Sequence, residues 1–348
     1  MKRRAQRGAG LVEVMIGVTM ALFATLVIYA VVGSADRLRR DSQSAGDAQQ
    51  TGLFVLARIA FDIANAGSGF ASAAKALSTC PASTNVADTL RPIAVLISAS
   101  SRDDVPDSVA IRYAVTAAIA GPATFAAAAP AGANFLIQSP YAFAVGDRII
   151  AVGRNGECEP TDVISSVASA PGVVEVVHAP LATAFSVSSW LIDLGAVNDA
   201  QVIRYDVQSN VLRTTDILND DAPNPLESNI VNLKFQYGID SDGDGILDTW
   251  VPALSGPLGD WSATALLMAS ADLLARIKAI RVGLIVRSDF LDRSVKTAFG
   301  WTLFDCEAID KSSCPGRLSG SIAATAAGGY RYRLHETVVP LRNTLWNR

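Results

Sequence analysis

Between Val14 and Gly33 the chain runs for twenty residues without one Asp, Glu, Lys or Arg. Wound as a helix at about 1.5 Å per residue, such a stretch reaches roughly 30 Å, the hydrocarbon thickness of a bilayer. Lys2, Arg3, Arg4 and Arg7 stand in front of it. Basic residues stay on the cytoplasmic side, so everything beyond residue 33 is expected to face outward. A secretory signal peptide has a shorter apolar stretch followed by a small-residue cleavage site. Here the run is long and passes directly into helix-compatible sequence. A plain membrane anchor accounts for every residue except Glu13, because an ionisable group at the start of a spanning helix is costly and marks a function by default.

Helical patterning continues past the apolar run. A polar stretch from Ser34 to Thr51 contains Gly46, and Gly52 follows it; both are weak points for a helix. Leu53, Leu56, Ile59, Ala60 and Ile63 then recur at helical spacing, a stripe suited to lying on a sheet. Gly67 and Gly69 are expected to end the helix. One long helix over 9–66 is therefore predicted, with 1–8 ahead of it and a body over 67–348. The body reads as strands at 94–98, 108–115, 147–153, 172–178, 201–207, 230–239, 277–288 and 331–341. In the seventh of these, Ile280, Val282, Leu284 and Val286 place every second residue on one face. The Ala-, Pro- and Gly-rich stretch 117–133 reads as a loop or insertion. A helix followed by many strands without βαβ alternation implies an α+β fold, the long helix packed on antiparallel sheet.

With 50% hydrophobic and 18% charged residues, the 348-residue chain is globular rather than disordered. A net charge of -4 offers no electrostatic footprint for nucleic acid. Four cysteines make an even set, and two disulfides would place the body in an oxidising compartment. Cys306 and Cys314 stand close enough to close a small loop, and Cys80 with Cys158 would then staple the middle of the chain. Four cysteines allow three connectivities, and four buried thiols are the alternative. The spacings do not suit zinc, and the two histidines, His178 and His335, fall in predicted strands with no nucleophile motif beside them. Both read as packed or surface residues, and Trp190, Trp250, Trp261, Trp301 and Trp346 as core or interface.

Asp240, Asp242 and Asp244 alternate, Gly245 follows, and Asp248 comes three residues later. Alternating carboxylates and a turn Gly form the first half of an EF-hand-type calcium loop, to which Ile246 would add its backbone carbonyl. Packed carboxylates repel unless a hard cation neutralises them. The twelfth loop position holds Val251 instead of a bidentate Glu, so Asp260, Glu227 or water would have to stand in. The competing reading is a solvated turn after the strand ending at Ile239.

At its N-terminus the sequence resembles the type IV pilins and the related type II secretion pseudopilins. The resemblance rests on a short basic leader ending in Gly8, then Ala9, Leu11, Val12 and Glu13. Ala9 stands where Phe or Met is usual, and Gly10 where Thr is frequent. The resemblance implies cleavage after Gly8 by a prepilin peptidase, N-methylation of Ala9, and a Glu13 carboxylate paired with the α-amino group of a neighbouring subunit. Four segments of the C-terminal half, VIRYDVQSNVLRTTD, IVNLKFQYGIDSDGDGILDTW, IKAIRVGLIVRS and YRYRLHETVVPLRN, are similar in order and pattern to PilW-type minor pilins. Residues 70–195 match nothing recognisable. The family implies a non-enzymatic subunit of a priming or tip complex. Its partners would be other minor and major pilins and a large pilus-tip adhesin. It would cross the inner membrane once before assembly and then stand at the pilus tip on the cell surface. A type II secretion minor pseudopilin is the nearest alternative. A membrane-anchored periplasmic binding module or enzyme is the alternative of another class.

Overall fold

The computed structural model describes residues 10–70, 73–83, 90–114, 122–139, 141, 143–196, 200–218, 221–291, 295–306, 314–324 and 329–345. Helix α1, Leu11–Asn65, is continuous over 55 residues and therefore about 82 Å long. Neither Gly46 nor Gly52 interrupts it. It stops where expected: Ala66 leaves the helical region and Gly67 takes a φ of 80°. Val55, Leu56, Ile59 and Ile63 on its second half are buried in the main hydrophobic core. Leu53, assigned to that stripe by spacing, points outward with 55% of its surface exposed, and Val55 takes its place inside.

After the short helix α2 (Ala74–Leu77), strands β1 (Val95–Ser98) and β2 (Ser108–Ala114) begin a five-stranded antiparallel sheet. The sheet is not completed until β9 (Ala200–Gln208), β10 (Val211–Asp216) and β11 (Asn224–Ser228), in the order β1-β2-β9-β10-β11. Between β2 and β9 the chain makes six strands of its own: β3 (Ala123–Phe125), β4 (Phe135–Gln138), β5 (Asp147–Val152), β6 (Cys158–Ala170), β7 (Val173–His178) and β8 (Trp190–Ala196). They close into a barrel in the order β3-β4-β7-β6-β5-β8. Phe125, Phe135, Phe185 and Ile137 fill its interior. The stretch expected to be a loop or insertion thus contains a barrel strand, and Ala129 bridges Phe185 within it.

The second sheet has the order β13-β12-β16-β19, built from β12 (Ile230–Ile239), β13 (Thr249–Pro252), β16 (Ile277–Arg287) and β19 (Tyr332–Pro340). Between β13 and β16 lie the hairpin β14 (Ser255–Gly256) and β15 (Gly259–Asp260) and the helices α3 (Ala263–Leu267) and α4 (Ala271–Ala275). One face of β12 and β16 carries Leu233, Phe235, Tyr237, Ile280, Val282, Leu284 and Val286 into the core that holds Val55 and Ile59 of α1. The other face carries Ile285, which packs under the hairpin β17 (Phe299–Leu303) and β18 (Leu318–Ile322). The chain closes with α5, Arg342–Leu345. Disulfides join Cys80 to Cys158 and Cys306 to Cys314.

Gly52 proves to be a point of close approach. A Cβ there would lie 2.2 Å from Nε2 of His335 on β19. In an isolated helix Gly→Ala gains about 1 kcal/mol, but overfilling a packed contact costs about 1–3 kcal/mol. Gly52→Ala is therefore expected to lower the thermal midpoint, and adding His335→Ala to reverse the sign of the Gly52 change. A stabilised Gly52→Ala single variant would contradict this contact.

Candidate assembly helix and acidic loop

Leu11–Asp36 has a mean hydropathy of 2.3, and none of its most apolar window is buried in the chain's own fold. The hydroxyls within this run are satisfied locally: Thr19 donates to the carbonyls of Met15 and Ile16, and Thr25 to those of Ala21 and Leu22. Such back-bonding is what a polar side chain needs in a medium without water. Glu13 lies in the first turn, its N–H donating to the Gly10 carbonyl at 2.9 Å and its side chain exposed. A carboxylate there is favoured by the helix dipole, and no cation of the described residues pairs with it. Gly8 and Ala9 lie outside the described residues, as do the basic residues before them.

Further along α1 the outward face carries a second apolar feature. Leu53, Phe54 and Phe61 are each more than half exposed, with exposed Ala57 between them. Phe54 and Phe61 are seven residues apart and so lie on one side of the helix, two turns from each other. Opposite them, the inward face contains one acid that the sequence reading missed. Asp62 is fully buried, its Oδ2 accepting from the Tyr205 hydroxyl of β9. Arg58 Nε lies 3.5 Å from the same oxygen and donates to the Tyr205 Oη at 3.3 Å. Burial pushes the Asp62 carboxyl above its ordinary range, against the opposing pull of Tyr205 and Arg58. Its sequence signal was there: an acid three residues after Ile59, within the apolar stripe.

The acidic loop joins β12 to β13. Asp240 is buried at the end of β12, while Asp242 and Asp244 are exposed. One carboxylate oxygen from each lies within 4.8 Å of the others. Two oxygens on opposite sides of a calcium ion stand about 5 Å apart, so the spacing suits a hard cation. Gly243 and Gly245, with φ of 86° and 94°, let the loop fold back on Asp240. Their N–H groups donate to its Oδ1 and Oδ2 at 2.6 and 2.8 Å, and Lys278 Nζ lies 3.4 Å from Oδ2. Desolvation pushes the Asp240 carboxyl up, but these N–H groups and the Lys278 ammonium outweigh it and hold it below its usual range. Asp248 is turned elsewhere: its Oδ2 accepts from the Ser241 N–H at 2.7 Å and from the Ser241 hydroxyl. The donor set fits a hard cation with Asp240, Asp242 and Asp244 as side-chain ligands. Asp248 could contribute only through water. Glu227 lies on β11, in the other sheet.

Both histidines are packed. His178 stacks on Phe135 of the barrel with ring centroids 3.8 Å apart, and His335 lies under α1. Residues 198–343 match the family model PilW, described as type IV pilus-assembly protein W. The matched segment begins two residues before β9 and contains the second sheet, the acidic loop and the Cys306–Cys314 pair. The barrel and α1 lie outside it. This match supports a pilus-associated, pilin-like role for the chain, and the apolar α1 fits a single-pass anchor. A solved type IV-like pilin from Thermus thermophilus is similar at 10% identity and a TM-score of 0.36, over 86% of this chain and 96% of that one. No curated protein matches the sequence.

Proposed function

We propose that this chain is a minor type IV pilin of PilW type, a non-enzymatic subunit of the priming or tip complex on which pilus assembly, adhesion and motility depend. One observation carries the reading. A single unbroken helix has an exposed, membrane-length apolar half with Glu13 in its first turn, and a second half buried against a sheet. In the membrane the leader is removed after Gly8 by prepilin peptidase, and Ala9 is methylated. On assembly the apolar halves bury one another, and Glu13 takes its counter-charge from the α-amino group of a neighbour, which fixes axial register. Leu53, Phe54 and Phe61 extend the contact face beyond the membrane segment. A body as large as residues 67–348 would crowd a filament made only of itself, which favours a few copies capping the end. The partners are then other minor and major pilins and a large tip adhesin. The protein moves from the inner membrane, with its body in the periplasm, to the pilus tip at the cell surface. The type II secretion pseudopilin remains the second reading, since the same anchor serves both systems.

Glu13→Gln tests this. Removing one partner of a buried ion pair costs about 3–5 kcal/mol, so pilus number should fall by about tenfold or more while the cleaved protein still reaches the membrane. Normal piliation with Glu13→Gln, or a mature protein still starting at Met1, would overturn the proposal.

The acidic loop is proposed to bind calcium through Asp240, Asp242, Asp244 and the Ile246 carbonyl, pinning the β12–β13 connection. A ligand present at a hundred times its dissociation constant adds about 2.7 kcal/mol to stability. Calcium should therefore raise the thermal midpoint of the full chain, chelator should lower it, and Asp242→Asn with Asp244→Asn should abolish the difference. A midpoint indifferent to calcium would leave the loop an ordinary turn.

A further inference from the structure

Strand β13 is the outer strand of its sheet, and its far side pairs with no other strand among the described residues. All four residues of β13 line a groove of about 270 Å³. Its lining includes Thr249, Trp250 and Pro252 of β13, Leu258 at the tip of the β14–β15 hairpin, and Pro315 and Gly316. Leu258 is 55% exposed, an apolar side chain at a hairpin tip with nothing covering it.

The charges around the groove are one-sided. Asp248 directly precedes its first residue, and Asp260 lies between Gly259 and Trp261, both of which line it. Asp260 accepts from the Ser262 N–H at 3.0 Å and pairs with no cation among the described residues. The hydrogen bonds from Ser262 hold the Asp260 carboxyl below its ordinary range. The nearby cations are all engaged by the chain itself. Arg276 donates to the Ser241 carbonyl at 3.3 Å, Lys278 faces Asp240, and Arg317 Nε lies 3.3 Å from Asp305. The Arg281 guanidinium stands over both Trp250 and Phe304, at 4.9 and 4.4 Å from the ring centroids.

We propose that this groove docks a short extended segment of a partner protein, one apolar side chain seated between Trp250 and Leu258 and a neighbouring Lys or Arg facing Asp260. An unpaired strand edge recognises extended backbone, and side-chain pockets beside it set specificity. Pro252 lacks an N–H and ends the edge after four residues, so the segment is short. The uncompensated carboxylates select cationic partners and make the association fall with salt. The site belongs to the body and does not depend on the filament reading.

The test is a random heptapeptide library panned on the full chain in detergent micelles. Enriched peptides should combine Leu, Ile, Val or Phe with Lys or Arg. A synthetic peptide of the enriched sequence should bind Leu258→Glu and Asp260→Lys about tenfold more weakly or worse, and weaken in high salt. Both positions are exposed, so these variants keep the core intact. Val338→Glu, on the opposite sheet edge, should bind normally. Glu13→Gln should bind normally too, which separates this result from the fate of the assembly proposal. Enrichment of acidic peptides, no enrichment, or binding indifferent to Leu258→Glu would overturn the docking site.

Discussion

Lys234→Met will destabilise the body by about 3–5 kcal/mol, the cost of leaving one member of a buried ion pair alone. Lys234 on β12 and Asp107, just before β2, are both almost completely buried, with Nζ 2.9 Å from Oδ1. The carboxylate is held on both sides by backbone, accepting from the N–H groups of Ser100 at 2.9 Å and Phe235 at 3.2 Å. Lys234 also donates to the Arg102 carbonyl at 3.1 Å, and the Asp107 N–H to that of Leu233 at 2.8 Å. The pair therefore rivets the loop before β2 to the second sheet. Burial already raises the Asp107 carboxyl, and without the ammonium only the Ser100 and Phe235 N–H groups oppose desolvation, so its folded pKa rises further. A raised carboxylate pKa costs stability at neutral pH, and the cost is relieved as pH falls toward the unfolded value of about 3.9. The Lys234→Met penalty should therefore shrink in mild acid. Adding Asp107→Asn should recover part of it at neutral pH, because the charge is gone and the amide oxygen still accepts from one of the two backbone N–H groups. Denaturant titration followed by tryptophan fluorescence reads all three, and a single-variant loss below about 1 kcal/mol would contradict the rivet.

The elements legible in the sequence are those whose partners are regular. Ile280, Val282, Leu284 and Val286 alternate because one face of β16 meets the core beneath α1, and that face is continuous. All eight predicted strands are present, with ends displaced by a residue or so. Of the barrel, β5 and β7 were legible, while β3, β4, β6 and β8 were not, for the opposite reason. β6 turns only Val163 fully inward, while Ile164 and Val167 are 56% and 64% exposed among Ser, Ala, Glu and Asp, so its thirteen residues show no clean apolar alternation. Its strand state comes from pairing with β5 and β7, a non-local fact. The same limit applies on α1. Periodicity finds the stripe but not its phase to one residue, so Leu53 and Val55 exchange roles. Propensity marks Gly52 as a weakness, whereas its missing Cβ makes room for a histidine 283 residues later in the chain. The acidic loop was legible as a pattern because its acids are local, and only the divergence of Asp248 toward Ser241 needed coordinates.

Cys158→Ser should destabilise the chain more than Cys314→Ser, and the difference follows from the loops they close. The Cys80–Cys158 bond spans 78 residues and the Cys306–Cys314 bond 8. Constraining the unfolded chain over these separations contributes about 4–5 and about 2–3 kcal/mol respectively. Packing adds little to the contrast. Cys80 is buried beside Phe70, Leu77, Ile150 and Val152, and as a free thiol it remains a small apolar group in the same place. Cys158 is only partly buried, so serine is tolerated there. The longer loop contains β1, β2 and the first three barrel strands, so the bond ties the segment after α1 to the barrel before the five-stranded sheet is completed by β9. Dithiothreitol should accordingly lower the melting temperature of the wild-type chain and have a smaller effect on Cys158→Ser, whose larger bond is already gone. A chain with this dependence folds well only where thiols are oxidised, so its body should accumulate correctly when exported past α1 and poorly when retained in a reducing cytosol. If reductant leaves the melting temperature unchanged, or if Cys314→Ser proves the more damaging variant, the long crosslink does not hold the barrel to the body in this way.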